Sequence, residues 1–148
     1  MPPTSLLKAR LAHSLQALSG RTVLITGGTG SFGRAFVESA LRWGSPKKLI
    51  VLSRDEQKHY QMERQVQDSR LRFFVGDIRD RDRLRTALRG VDVVVHAAAM
   101  KHVPICEYNP IEAVQTNVVG ARNLIEAALA NRVPRIIALS TDKAVAPA

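Results

Sequence analysis

The chain has a single cysteine, Cys106, which rules out an internal disulfide framework. A lone thiol fits a reducing compartment, so a cytoplasmic protein is expected, with Cys106 serving in packing. The four histidines, His13, His59, His96 and His102, show no HxxxH or Cys/His spacing, and no metal site is expected. No apolar run approaches the roughly 20 residues of a membrane span, because arginine and aspartate interrupt each one. Aromatics are scarce at 5% of residues, and none is placed for stacking on bases. Acidic residues are also short, 13 against 22 lysines and arginines, for a net charge of +9. Such a balance raises nucleic acid as a partner. The densest basic run, Arg79, Arg81, Arg83, Arg85 and Arg89, is however interleaved with Asp80 and Asp82 and reads as a solvated helix face. No nucleic-acid partner is therefore expected, and a basic surface equally suits a polyanionic small ligand. Without an internal repeat, low-complexity tract or linker, 148 residues at 45% hydrophobic suit one globular domain.

Residues 1–20 read as an amino-terminal extension. Leu6, Leu7, Leu11, Leu15 and Leu18, with Lys8 and Arg10 between them, predict a short amphipathic helix stopped near Gly20. It has neither the continuous apolar segment nor the cleavage site of a secretory signal. The expected role is docking on the domain or on a neighbour, with a membrane-surface role as the alternative.

The informative stretch is Thr22-Val23-Leu24-Ile25-Thr26-Gly27-Gly28-Thr29-Gly30-Ser31-Phe32-Gly33. A β-branched apolar run predicts a buried strand over 22–26, and Arg34 to Trp43 repeats apolar residues at helical spacing. Between them, Gly27, Gly30 and Gly33 form GxxGxxG. A strand before and a helix after such a turn point to phosphate binding, because small residues let the backbone approach a pyrophosphate and aim free N–H groups at it.

Further strands are predicted over 48–53, 71–78, 91–96 and 135–140, with helices over 56–67 and 80–89 and a long one after Pro110. The apolar stripe of that last helix is Ile111, Val114, Val118, Ala121, Leu124, Ile125 and Ala128. Alternating strand and helix predicts an α/β fold of the Rossmann type. It is a doubly wound parallel sheet of strand order 3-2-1-4-5, truncated after the fifth strand. Residues 21–148 would be the dinucleotide-binding domain. The end of the second strand meets the adenosine ribose in such folds, where Arg54 favours NADP while Asp55 and Glu56 leave NAD open. Asp55 also suits the N-cap of the following helix.

TGGTGSFG, SRDE, GDIRD, HAAAMKHVP, EYNP, TNVVGARN and LSTDKA, in this order and spacing, resemble the extended short-chain dehydrogenase/reductase superfamily. Within it they are most similar to the inverting UDP-N-acetylglucosamine 4,6-dehydratases and related polysaccharide-biosynthesis enzymes, over residues 21–148. The resemblance places Thr29, Gly30, Ser31 and Phe32 at the pyrophosphate, and the glycine motif adds Gly27 and Gly33 as cofactor-binding positions. Ser53, Arg54 and Glu56 would surround the adenosine 2′-phosphate, and Asp77 and Ile78 would meet the adenine. It further places Ala98 along the cofactor, Lys101 between cofactor and sugar nucleotide, and Asn117 near the active site as a structural residue. Asp142 and Lys143 fall on the catalytic pair. The implied reaction is redox-neutral: a hydride leaves sugar C4, a base removes the C5 proton while an acid protonates the departing C6 hydroxyl, and the hydride returns to C6. Lys143 as base needs a lowered pKa, and Asp142 as acid must be protonated. Retaining dehydratases carry Asp-Glu at this pair and epimerases small hydroxyl residues.

The superfamily's Tyr-x-x-x-Lys is absent: Tyr60 is followed by Arg64 and Tyr108 by Glu112 at that spacing. The chain is expected to be the amino-terminal portion of a longer enzyme, catalytically silent alone, with a UDP-sugar as substrate and a homo-oligomeric state. Its fifth strand would be an uncovered edge prone to self-association. A nucleotide-sugar epimerase and a non-catalytic dinucleotide module are the alternatives.

Overall fold

The computed structural model describes residues 5–140. Five parallel strands, β1 (Thr22–Thr26), β2 (Lys48–Ser53), β3 (Leu71–Val75), β4 (Val93–His96) and β5 (Arg135–Ala138), form one sheet of order β3-β2-β1-β4-β5. This is the predicted order. Register runs through Val23, which pairs with Leu49 on one side and Val93 on the other. A reciprocal contact sets it: the Thr22 N–H donates to the Asp92 carboxylate at 2.7 Å and the Asp92 N–H to the Thr22 carbonyl at 2.8 Å.

The strands are apolar at successive positions because both faces are covered. Val23, Ile25, Leu49, Val51, Val93 and Val95 point to one layer with Val37 and Met62. Leu24, Ile50, Leu52 and Val94 point to the other with Leu84, Leu88, Leu124 and Ala127. The first layer carries α2 (Ser31–Ser39) and α3 (Glu56–Val66), and the second α4 (Arg81–Ala87) and α7 (Gly120–Ala130).

The extension is helical as expected, α1 spanning Ser5–Leu15 and followed by a tight turn Gln16–Leu18. Only its far end packs: Leu15 and Leu18 join the core, while Leu6, Leu7 and Leu11 are exposed.

Element boundaries differ in small ways from those expected. α2 begins at Ser31, inside the glycine motif, and ends in a π-helical turn, Ala40–Gly44. β3 stops at Val75, β4 starts at Val93 and β5 stops at Ala138.

The long helix needs a larger correction. It comprises α6 (Pro110–Val114), a π-helical turn Gln115–Val119 and α7, and the wider turn shifts the helical phase. The buried face of α7 is Gly120, Asn123, Leu124, Ala127 and Ala128, whereas Ile111, Val114, Val118 and Ile125 are at least half exposed. A short helix not expected from sequence, α5 (Val103–Tyr108), buries none of its residues, so the packing role expected of Cys106 is not met: it is only half-buried. β5 is exposed along its length, as expected of an uncovered edge.

Candidate functional site

The carboxyl ends of the strands open into a cleft of about 410 Å³. Its floor is the glycine turn. Gly27 has φ +66°, and a Cβ there would stand 2.9 Å from the backbone of Ala98. Gly33 lies on the first turn of α2, where a Cβ would stand 2.4 Å from the Gly28 backbone. Glycine at both positions brings β1, α2 and the loop after β4 into backbone contact, leaving above them a shallow cradle that side chains would fill. The N-cap of α2 is Gly30, with no capping side chain, so the first amides of the helix are left for a ligand. The arrangement suits a pyrophosphate.

Gly27, Thr29, Gly30, Ser31, Phe32 and Gly33 line this part of the cleft. Ser53 and Arg54 line it from the end of β2, Asp77 and Ile78 from the loop after β3, and Ala98 and Lys101 from the loop after β4. The twelve are thus brought together. Glu56, exposed at the start of α3, and Asn117 are not among the lining residues. Asp142 and Lys143 lie outside the described residues.

Asn117 works from behind the wall. Its side-chain oxygen accepts from the Met100 N–H at 2.8 Å and its amide donates to the Met100 carbonyl at 2.9 Å, fixing the loop that carries Ala98 and Lys101. Two turns on, the buried Asn123 donates to the Arg79 carbonyl at 2.9 Å and holds the Asp77–Ile78 loop in the same way. One helix with a π-helical turn therefore anchors two walls of the cleft.

Thr26, fully buried at the end of β1, ties that strand to the loop after β4. Its hydroxyl accepts from the Ala97 and Ala98 N–H groups, each at 3.2 Å, and lies 2.7 Å from His96 Nδ1. With two donors already on the oxygen, its own hydrogen goes to Nδ1, so the His96 proton resides on Nε2.

At the adenosine end, charges are arranged around Asp77. Burial pushes its carboxyl up, but hydrogen bonds from Arg79 and the charges of Arg79 and Arg54 outweigh this and hold it below its ordinary value. Arg54 reaches it at 3.7 Å while its side chain, one of those lining the cleft, remains 62% exposed. Asp55 caps α3 by accepting from the Lys58 N–H at 3.0 Å, and Lys58 Nζ stands 3.3 Å from the same carboxylate. Lys58 lines the cleft, as does the buried Thr116. Neither was singled out in the sequence. Lys58 carries only the signal of a cation one helical turn past a capping aspartate, and Thr116 only its place beside Asn117.

His59 and His96 are both lowered from 6.5 by burial. The unfolded chain then binds more protons than the folded one below that value, so stability present above it is lost as pH falls through the folded values. The melting temperature is expected to decline progressively as the pH is lowered from 6.5 towards the carboxylate range. Melting curves across this interval check it; a rise on acidification would contradict it.

The family model described as polysaccharide biosynthesis protein matches residues 23–148. The inverting UDP-N-acetylglucosamine 4,6-dehydratase of Campylobacter jejuni (strain 81-176) is 51% identical over 129 residues, 87% of this chain and 39% of that protein. UDP-glucose 4-epimerase of Rickettsia conorii is 47% identical over 130 residues, 86% of this chain and 38% of that one. Among solved structures, the dTDP-glucose 4,6-dehydratase DesIV of Streptomyces venezuelae, with NAD and TYD bound, superposes with a TM-score of 0.70 at 35% identity, over 78% of this chain and 38% of that one. The chain thus spans about two fifths of the length of the relatives it matches. Since the family match runs from β1 through the glycine turn and both anchored loops to β5 and beyond, this chain belongs to the polysaccharide biosynthesis protein family.

Proposed function

We propose that the chain is the cofactor-binding portion of an NADP-dependent nucleotide-sugar 4,6-dehydratase that acts on UDP-N-acetylglucosamine with inversion at C5. The observation that carries the reading is the charge pattern at the end of β2. Asp55 also lines the cleft, but its carboxylate is engaged by the Lys58 N–H as the cap of α3 and by Lys58 Nζ, while Arg54 and Lys58 bring two cations to the same end. An uncommitted carboxylate favours a 2′-hydroxyl and an arginine a 2′-phosphate. The 51% identity to an inverting dehydratase supports the substrate class.

Bound NADP+ would supply the hydride acceptor and later return the hydride. The chain's own residues have separate tasks. The uncapped amides of α2 hold the pyrophosphate, Arg54 and Lys58 the 2′-phosphate, and Asp77 and Ile78 the adenine. Ala98 leaves room along the backbone, and Lys101 bridges to the sugar nucleotide. Lys143 removes the C5 proton and Asp142 protonates the departing C6 hydroxyl. We further propose a cytoplasmic enzyme that binds no nucleic acid and forms a homo-oligomer, a state supported by the exposed Ile111, Val114, Val118 and Ile125.

The second reading, a 4-epimerase, is favoured by the 47% identity to the Rickettsia protein. Turnover in a protein that carries these residues at the length of the relatives separates the two. The dehydratase reading expects UDP-N-acetylglucosamine to lose one water and to exchange its C5 proton with solvent, both abolished in Lys143→Ala. Interconversion at C4 with no loss of water would overturn it.

A further inference from the structure

His59 sits on α3 with 5% of its surface exposed and its ring tilted against Phe73 at 5.2 Å between centroids. Its Nε2 lies 2.7 Å from the Ser53 hydroxyl, while its buried Nδ1 has no hydrogen-bond partner among the described residues. Ser53 in turn accepts from the Thr29 hydroxyl at 3.2 Å, and both Ser53 and Thr29 line the cleft. A line of hydrogen bonds therefore runs from the cleft to a buried imidazole and ends there.

Burial lowers the pKa of His59, so the ring carries one proton at neutral pH. That proton has two places, and each gives Ser53 a different character. With the proton on Nε2, His59 donates to Ser53, and the serine hydrogen is free to donate into the cleft. With the proton on Nδ1, Nε2 accepts the serine hydrogen, and Ser53 offers the cleft only a lone pair. The unpartnered Nδ1 is stranded either way, as a lone pair or as an N–H, so no contact at that end selects one form. Selection falls to whatever group meets Ser53.

We infer that His59 is a positioning residue for the ribose contact of either cofactor: its tautomer lets Ser53 donate to a 2′-phosphate oxygen or accept from a 2′-hydroxyl. The inference rests on the dinucleotide reading above, since the end of β2 is where that reading puts the adenosine ribose. It implies that Ser53 tolerates either cofactor and that discrimination comes from the cations Arg54 and Lys58.

The test is ¹⁵N NMR of the His59 imidazole in this chain at neutral pH, with 2′,5′-ADP and 5′-AMP as probes. The Nε2-protonated form is expected with 2′,5′-ADP and the Nδ1-protonated form with 5′-AMP. Affinity gives a second readout: His59→Leu is expected to weaken 2′,5′-ADP about threefold or more, because Ser53 loses the donor that polarises it. His59→Gln, whose amide can donate or accept, is expected to restore the affinity to within about twofold. The tautomer is read on the unsubstituted chain and decides the question whether or not His59→Leu folds. The same tautomer with both nucleotides, each bound, would overturn this inference and leave the dinucleotide reading standing. Failure of both nucleotides to bind the unsubstituted chain would overturn both, and if 2′,5′-ADP alone binds, an Nδ1-protonated ring in its presence overturns this inference.

Discussion

Gly33→Ala is expected to destabilise the chain by about 3 kcal/mol or more and to remove nucleotide binding with it, at the upper end of what overpacking costs. The added Cβ would stand 2.4 Å from the Cα and carbonyl oxygen of Gly28, and those are backbone atoms of the same turn, unable to swing aside. Relief requires α2 to move off β1, which opens the layer holding Val37 and Ile25 and displaces the amides of Ser31 and Phe32 from the cleft. Gly20→Ala is the control. Gly20 has φ +69° but nothing within 4 Å of its Cβ position, so alanine there incurs only left-handed strain of about 1–2 kcal/mol. Calorimetric melting of both variants checks the contrast, with a fall of roughly 10 °C for Gly33→Ala. Equal small losses in the two would show that the close approach is not what demands glycine.

Thr26→Val is expected to cost about 2–4 kcal/mol although it keeps the side-chain shape, because one hydroxyl serves three groups and an unsatisfied buried group costs about 1–3 kcal/mol. Valine strands the Ala98 N–H, removes one of the two acceptors of the Ala97 N–H and leaves His96 Nδ1 without its donor. The Ala97 amide keeps a bond to the Thr26 carbonyl at 3.2 Å, which limits the loss. The consequence reaches the site: the loop from Ala97 to Lys101 is held at its start by Thr26 and at Met100 by Asn117. Thr26→Ser keeps the hydroxyl and is expected to lose less than half as much. Chemical denaturation with matched m-values checks the pair. A neutral Thr26→Val would mean that other groups take up these amides.

How much of this was legible beforehand differs between the sheet and its surroundings. The strand order follows from apolar runs that alternate with amphipathic helices, and Val23, Leu24 and Ile25 announce a strand covered on both faces. Twelve of the fourteen residues expected along the cofactor do line one cleft, since the ends of parallel strands leave them little choice. The π-helical turn at Gln115–Val119 has no such signature. One wider turn changes which residues of the next helix face inward, so a single period read straight through Pro110 to Ala128 does not join the exposed Ile111 and Val114 of α6 to the buried face of α7. Nor does spacing reveal that Asn117 grips Met100, or that Asn123 grips Arg79. Those are contacts between segments far apart in the chain, and only folding brings them together. Glu56 illustrates the limit of a linear motif: it follows Arg54 by two residues, yet Asp55 starts the helix between them and turns Glu56 to solvent.

The central claim is that this cleft binds NADP in preference to NAD. Parallel titration of the chain with NADP+ and NAD+, followed by its thermal stability, tests it most directly, because a ligand that binds only the folded state raises stability by mass action. The account predicts greater stabilisation by NADP+ than by NAD+ at equal concentration, a smaller difference in Arg54→Ala, and its loss when Lys58→Ala is added. A larger response to NAD+, or a preference for NADP+ undiminished when Arg54→Ala and Lys58→Ala are combined, would contradict it.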